Sequence, residues 1–155
     1  MDESPEIRFA TAEDAALLAQ MLHDFNTEFG DPSPGPEVLA PRVAAVISSG
    51  EMTYLLGGNE VDGFAQISFR PSVWSDGPVA YLEELYVKPD RRRQGTGQAL
   101  MEAILDEARR RGAERIELGT GEDDFGARAL YEKFGFRNEF EGEDNTRALF
   151  YELNL

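Results

Sequence analysis

The most informative segment of the chain is Leu85-Tyr-Val-Lys-Pro-Asp-Arg-Arg-Arg-Gln-Gly-Thr-Gly-Gln-Ala-Leu-Met101. Its pattern is typical of a strand, a short turn and a long helix that two glycines, Gly95 and Gly97, open. Glycine has no β-carbon, so an anion can approach the backbone amides closely. The first amides of a helix have no partner within it, and the helix dipole is positive at that end. The stretch therefore predicts a binding site for a phosphate or a diphosphate.

Two other phosphate-binding motifs do not fit this turn. The lysine of a P-loop is absent, and Leu100 stands where a dinucleotide-binding fingerprint has its third glycine. Arg91, Arg92 and Arg93 add positive charge in a chain that is otherwise strongly acidic. The plain structural alternative is a glycine-lined turn beside a solvated basic run. The position between a strand and a long helix favours anion binding.

Outward from this turn, hydrophobic periodicity and turn residues predict an α/β fold. We expect one domain over residues 5–155, with a mixed, mostly antiparallel central sheet and helices on both faces. An acidic loop, residues 141–145, would join the last two strands. Strands are predicted at residues 7–10, 52–56, 61–69, 80–87, 116–118, 137–140 and 148–153. One helix is predicted to begin after Thr11 and to end at residue 29, and three more are predicted at residues 37–48, 95–112 and 127–134.

Composition excludes several classes of site. The 155 residues include no cysteine and one histidine, which excludes a disulfide scaffold, a thiolate or multi-histidine metal site and a cysteine nucleophile. No apolar run reaches the roughly 20 residues that span a bilayer, and the acidic N-terminus lacks the pattern of a signal peptide. We therefore expect a cytoplasmic protein. Its formal net charge of −15 disfavours nucleic acid and anionic membranes and favours cationic partners, although it also serves solubility alone.

Two motifs together resemble one known family. Arg92-Arg-Gln-Gly95-Thr-Gly97 fits the pattern R/Q-x-x-G-x-G/A, and Ala127-Arg-Ala-Leu-Tyr-Glu-Lys-Phe-Gly-Phe136 fits A-x-x-L-Y-x-x-x-G-F. In this order they are the signatures of the GNAT superfamily of N-acetyltransferases. The strand Tyr81-Leu-Glu-Glu-Leu-Tyr-Val87 is similar to that of the diamine (spermidine/spermine-type) members. The resemblance covers nearly the whole chain, from Ile7 to Leu153.

The resemblance implies acetyl-CoA as the co-substrate, with no metal. The diphosphate would lie on the backbone amides of the turn, and the pantetheine arm would pair with the strand edge like an additional strand. Many family members carry asparagine at the position where this chain has Asp124. An aspartate accepts hydrogen bonds but cannot donate an amide N–H. The implied coenzyme-binding residues are Leu85, Tyr86, Val87, Arg92, Arg93, Gln94, Gly95, Thr96, Gly97 and Asp124.

The same resemblance implies direct attack of an amine on the thioester. Tyr131 would protonate the leaving sulfur, since a phenol with a pKa near 10 stays protonated at neutral pH. Glu83 matches the proposed base of the diamine acetyltransferases, and Glu84 is the alternative base or a ligand for the substrate cation. Strand alternation would place Glu83 and Glu84 on opposite faces. Solvated strand carboxylates and a packed helix tyrosine are the plain structural alternatives.

The acceptor is expected to be a small cationic amine. Glu28, Asp31 and Glu84 are the candidate ligands for its ammonium groups, with His23 and Trp74 as weaker candidates near the same loops. Polyamines and aminoglycosides both carry several ammonium groups suited to an acidic pocket. The alternatives are acetylation of a protein lysine or N-terminus and, in a different class, a non-catalytic module that binds CoA. The resemblance also makes a homodimer a further expectation.

Overall fold

The computed structural model describes residues 4–140 and 146–155. They group into two compact units, one ending at Leu118 and the other starting at Gly119, and each is described by itself. The described strands are β1 (Ile7–Phe9), β2 (Met52–Gly57), β3 (Gly63–Arg70), β4 (Val79–Val87) and β5 (Arg115–Leu118), and the described α-helices are α1 (Ala15–Phe29), α2 (Pro36–Ser49), α3 (Thr96–Arg110) and α4 (Phe125–Lys133).

The first unit is built on a sheet with the strand order β1-β2-β3-β4-β5. The first three pairings are antiparallel, and β4 pairs with β5 in parallel. The register of β3 on β4 slips once: Gln66 lies opposite Glu84, but Ile67 lies opposite Leu82. Glu83 is therefore an extra residue, a β-bulge that bends the strand and changes its alternation. The predicted mixed, mostly antiparallel sheet is confirmed.

One face of the sheet is covered by α1 and α2. Apolar residues at helical spacing on α1, among them Leu18 and Met21, pack on Tyr54, Phe64 and Tyr86 of the sheet. The helix is entered through Thr11, whose amide donates to the Asp14 carboxylate at 2.8 Å. It ends at Gly30, which takes the left-handed conformation (φ +74°).

The opposite face is covered by α3, so the prediction of helices on both faces is also confirmed. Its stripe of Leu100, Met101, Ile104 and Ala108 is buried. The helix begins unusually close to the sheet, because a Cβ at Gly57 would lie 3.0 Å from the methyl carbon of Thr96. Thr96 is consequently buried at the first position of α3. This contact fixes the height at which the helix N-terminus stands above the strands.

The second unit contains α4, and its last segments differ from the prediction. Residues 137–140 and 148–153 were expected to be strands, but the structure gives only an isolated antiparallel bridge between Glu139 and Arg147. A single bridge is not a ladder, and Phe150 and Tyr151 remain largely exposed instead of filling one buried face. The predicted acidic loop 141–145 lies outside the described residues.

The other predicted elements are observed, with ends shifted by at most three residues. The largest shift is at α1, because residues 12–14 form a separate turn of 3-10 helix before it. None of the helices in the described part of the chain is long and apolar enough to cross a membrane. The single-domain expectation for residues 5–155 stays a prediction.

Candidate functional site

The turn after β4 has the form of an anion cradle. Gly95 caps α3 with φ +92°, a left-handed conformation that glycine adopts without strain. The first hydrogen bond of the helix runs from the Ala99 amide to the Gly95 carbonyl at 2.9 Å. The amides of Thr96 and Gly97 therefore have no acceptor within the helix, at the positive end of its dipole. The residues present fit a diphosphate.

The residue before this cap region is also left-handed. Arg93 has φ +62°, and no other non-glycine residue in the described part of the chain has a positive φ. Such a conformation costs about 1 kcal/mol or more and persists where the surroundings impose it. Arg93 and Gln94 are both exposed, so their backbone and side chains remain accessible to a ligand. Their predicted coenzyme-binding role stays a prediction.

The Arg92 side chain bonds to the end of β4 and to α1. Its Nε donates to the Val87 carbonyl at 2.9 Å, and its two terminal nitrogens donate to the Glu28 carboxylate at 2.6 and 2.7 Å. This bidentate ion pair joins the end of α1 to the turn after β4. The sequence analysis assigned Glu28 to substrate binding, and the structure gives its carboxylate an arginine partner. The assignment to substrate stays a prediction.

The bulge in β4 brings two carboxylates to one face. Glu84 lies opposite Gln66, while the carboxylate of Glu83 accepts a hydrogen bond from Ser68 Oγ at 2.6 Å. Gln66 and Ser68 are two residues apart on β3, so they lie on the same face. Strict alternation, which placed Glu83 and Glu84 on opposite faces and Glu84 with Leu82, is wrong. The extra residue at position 83 shifts the alternation by one, and Leu82 faces the other side opposite Ile67.

The two carboxylates differ in their surroundings. Burial raises the pKa of Glu84 to about 7, and the negative charges of Glu83 and Asp31 add to the shift. Glu83 is exposed and Glu84 is half-buried. The influence of Asp31 places the loop after α1 near Glu84 on β4. Glu84 is thus a carboxyl group that changes its charge near neutral pH.

Sequence reasoning missed the polar row beside this pair. Tyr54 on β2, Gln66 on β3 and Glu84 on β4 stand in register across the sheet. Burial raises the pKa of the Tyr54 phenol to about 12, and the charges of Glu84 and Glu83 contribute. A tyrosine and a glutamine at core-facing strand positions were a usable signal, because buried polar side chains are uncommon without a partner.

Beyond the bulge, the outer edge of β4 is unpaired in the described part of the chain. β5 pairs with Val79–Leu82 only, so beyond the bulge residue Glu83, residues 84–87 pair with β3 on one side and with no strand on the other. Leu85, Tyr86 and Val87 lie in this part of the strand, where the sequence analysis placed the pantetheine arm. An exposed strand edge offers backbone N–H and C=O groups to an extended ligand.

The remaining predicted residues occupy other positions. In the second unit, Tyr131 lies on α4 with its ring 6.0 Å from that of Phe136, and Asp124 caps the helix by accepting the Ala127 amide at 3.2 Å. The cap gives Asp124 a structural role, and its coenzyme contact stays a prediction. In the first unit, His23 Nδ1 is bonded to Ser33 Oγ at 2.8 Å. Trp74 is 92% exposed, so it packs on no sheet edge.

Comparisons with known proteins agree with this architecture. A model of the acetyltransferase (GNAT) family matches residues 18–136. An aminoglycoside N(6')-acetyltransferase type 1 of Klebsiella aerogenes is 34% identical over 125 residues, which cover 77% of this chain and 81% of the relative. Another of that name from Stenotrophomonas maltophilia is 28% identical over 155 residues, covering 98% and 95%. A crystal structure of a protein from Arthrobacter sp. FB24 superimposes with a TM-score of 0.85 at 44% identity, covering 99% and 96%.

Proposed function

The chain belongs to the acetyltransferase (GNAT) family of N-acetyltransferases, and we propose that it transfers the acetyl group of acetyl-CoA to a primary amine of a small, cationic acceptor. The reaction is a direct attack of the amine on the thioester, with no covalent enzyme intermediate. The observation that carries the proposal is the bulge in β4. It turns Glu83 and Glu84 to one face of a strand that leads within a few residues into the anion cradle.

The cradle is the part of the chain suited to the coenzyme. The amides of Thr96 and Gly97 and the dipole of α3 favour a diphosphate, and the unpaired edge at residues 83–87 suits an extended pantetheine arm. The coenzyme supplies an acyl thioester, which an uncharged amine attacks readily. The Val87 amide is the candidate donor for the oxyanion that develops.

The first task of the protein is to remove a proton from the acceptor. Alkyl amines are mostly protonated at neutral pH, and only the uncharged form is a nucleophile. We assign the base to Glu84, because a carboxyl group with a pKa of about 7 combines a useful population of the basic form with a sufficient affinity for the proton. Glu83, the base suggested by the sequence, is more exposed and is bonded to Ser68. Its role would be to attract the ammonium group before deprotonation.

The second task is to protonate the departing sulfur. Tyr131 is the proposed donor, since a phenol keeps its proton at neutral pH. Replacing Tyr131 with Phe is expected to lower kcat by about 10²-fold or more and to leave the Kd for acetyl-CoA within about twofold. The matched control is Tyr151→Phe, at an exposed tyrosine of the same unit. An unchanged kcat in Tyr131→Phe would remove Tyr131 from the mechanism.

The acidity of the site supports the cationic acceptor. The negative charges of Glu83 and Asp31 both act on Glu84, and the whole chain carries a net charge of −15. Two relatives that cover most of this chain are named aminoglycoside N(6')-acetyltransferases. Aminoglycosides and polyamines are accordingly the acceptor classes that we propose.

A panel assay tests the function directly. Purified protein with acetyl-CoA is offered an aminoglycoside, a polyamine, an uncharged primary amide and a lysine peptide, and release of free thiol is measured. We expect thiol release with the first two and none with the amide. Release with the peptide alone would replace the small-molecule proposal by protein acetylation.

A further inference from the structure

The face of the sheet that carries Glu84 continues along β4 towards the start of that strand. On β3, the alternate residues Gln66, Ser68 and Arg70 share this face. Across the ladder, Glu84 lies opposite Gln66, and Tyr81 lies opposite Ser68. Ser68 and Tyr81 are both partly exposed. This part of the face is therefore open to a ligand that starts at Glu84.

An ion pair crosses this face near the start of β4. The Arg70 guanidinium on β3 lies 3.6 Å from the Glu117 carboxylate on β5. Because β4 runs between these two strands, the two side chains meet above it, and Glu117 stands beside Tyr81 in the ladder. Arg115 lies 3.1 Å from the same carboxylate. Two guanidinium groups thus share one carboxylate, which leaves a net positive charge. We call Arg70, Glu117 and Arg115 the arginine bridge.

The charge of the face changes sign along β4. Among the residues that the structure describes, Glu83 and Glu84 form no ion pair, so their end of the face is negative. Tyr81 lies between this end and the arginine bridge. Burial raises the pKa of Tyr81, and the charges of Glu83, Glu117 and Glu84 act in the same direction. The tyrosine therefore stands at the boundary between the negative and the positive part.

We propose that the arginine bridge limits the length of a diamine acceptor, an inference that rests on the proposed function. With the reacting nitrogen at Glu84 and the coenzyme on the side of the cradle, the rest of the acceptor extends along β4 towards Tyr81. A second ammonium group about 7 Å away, two residues along the strand, lies beside Tyr81 and Glu83. One about 14 Å away, four residues along, meets the arginine bridge.

The two positions differ in what they offer a cation. At the nearer one, the ring of Tyr81 and the carboxylate of Glu83 both attract an ammonium group. At the farther one, the like charge of the guanidinium groups repels it. The side chains of Arg70 and Arg115 are 66% and 65% exposed, so solvent and salt weaken the repulsion. The limit is therefore a preference for short diamines and not an absolute exclusion of long ones.

Two pairs of amines test the limit. The thiol-release assay compares 1,5-diaminopentane with 1,10-diaminodecane, and n-pentylamine and n-decylamine serve as references that correct for the length of the alkyl chain. The measured quantity is the ratio of kcat/KM for the diamine to kcat/KM for the monoamine of equal length. We expect this ratio to be about tenfold higher at five carbons than at ten, as suits partly screened charges.

Variants of the bridge identify its charge as the cause. Arg70→Gln removes the guanidinium that crosses β4 and leaves Arg115 bonded to Glu117. We expect it to raise the diamine-to-monoamine ratio at ten carbons about fivefold, whereas Arg70→Lys, which keeps the charge, should change the ratio less than about twofold. The matched control is Arg109→Gln, which removes one guanidinium from an exposed pair with Asp106 on α3, on the opposite face of the sheet. It should leave the ratio unchanged.

Equal ratios at five and ten carbons in the unchanged protein would overturn the length limit. An equal rise in Arg70→Gln and Arg109→Gln would also overturn it, since the ratio would then follow net charge alone.

Calorimetric titration of the same four amines, without acetyl-CoA, separates this inference from the proposed function. If no amine releases thiol but the short diamine binds more tightly than the long one relative to the monoamines, the proposed function fails and the length limit stands. If the amines are acetylated without regard to length, the length limit fails and the proposed function stands. Absence of both thiol release and binding would overturn both.

Discussion

Two glutamates on opposite faces of the sheet show how the same side chain is prepared for different roles. Glu107 on α3 is 4% exposed and bonded to Arg110 and Arg111 at 2.6 to 2.8 Å, and these bonds lower its pKa. Glu84 on β4 is half-buried next to Glu83 and near Asp31, and its pKa rises to about 7. Burial acts on both groups in the same direction, so the neighbouring charges decide the outcome.

The contrast follows from the placement of the few basic side chains of this protein. Acidic residues outnumber basic ones, 30 to 15, so a carboxylate without an arginine is the ordinary case. Glu107 receives two guanidinium groups, one of which also reaches Thr53 on the sheet at 2.9 Å. That arrangement fastens the end of α3 to the sheet. Glu84 receives none, which keeps its proton exchangeable near neutral pH and suits acid–base chemistry.

The largest expected effect is on catalysis at Glu84. Glu84→Gln removes the base but keeps the shape, and we expect kcat/KM for a cationic amine to fall about 10²- to 10³-fold. In the unchanged protein, log kcat/KM should rise with pH up to about 7, where the Glu84 carboxyl group loses its proton. Above that pH, Glu84 should cause no further increase. Glu83→Gln is the matched control, with an expected loss of less than about tenfold. The reverse order of the two variants would assign the base to Glu83.

The next effect is on stability at Glu107. Glu107→Gln leaves two arginines without their carboxylate, and removing one partner of a buried ion pair is strongly destabilising. Because both arginines also meet solvent, we expect a loss of roughly 2–3 kcal/mol in the free energy of unfolding at pH 7. Urea denaturation measures it, with Glu102→Gln on the exposed side of α3 as control. Below its melting transition the variant should retain its kcat, and a loss of kcat would connect Glu107 to the chemistry.

A third prediction concerns stability against pH at Glu84. Its folded pKa of about 7 lies above the ordinary value of 4.5 for this carboxyl group, so the folded state binds the proton more tightly than the unfolded state. This contribution is fully present below pH 4.5 and is lost as the pH rises to about 7. Glu84→Gln should therefore match the unchanged protein at pH 4 and exceed it by up to about 3 kcal/mol at pH 8. Urea denaturation at both pH values measures the difference, and a constant difference would contradict the raised pKa.

Glu28 lies between the cases of Glu107 and Glu84, because its carboxylate has one arginine partner, Arg92. The exposed fraction of the side chain is 28% for Glu28 and 39% for Arg92. Its pair with Arg92 holds the cradle, so Glu28→Gln should raise the Kd for CoA about three- to fivefold, within the range of an exposed ion pair. The KM for the acceptor should change less. Asp24→Asn, on the same helix, is the control in calorimetric titrations with CoA. A larger change in the acceptor KM would restore Glu28 to substrate binding.

Much of this architecture follows from local sequence alone. The paired glycines of the cradle, the cap at Thr11 and the left-handed Gly30 and Gly50 act over a few residues, so their effect can be read directly. The end of the chain is different, because residues 137–140 and 148–153 were predicted as strands, yet the described residues there form one isolated bridge, between Glu139 and Arg147. A strand exists only with a partner, and alternation does not reveal whether one is available.

Residues close together in the chain were enough to predict the order of the helices and most strands, the anion cradle and the two adjacent carboxylates on β4. The register of β3 on β4 makes Glu83 a bulge and places both carboxylates on one face, and the approach of α1 to the turn after β4 lets Glu28 hold Arg92. Local elements depend on neighbours in the chain, whereas a bulge and an ion pair depend on register and approach between segments that are distant in sequence. Gln66 opposite Glu84, and Glu28 beside Arg92, are such pairs.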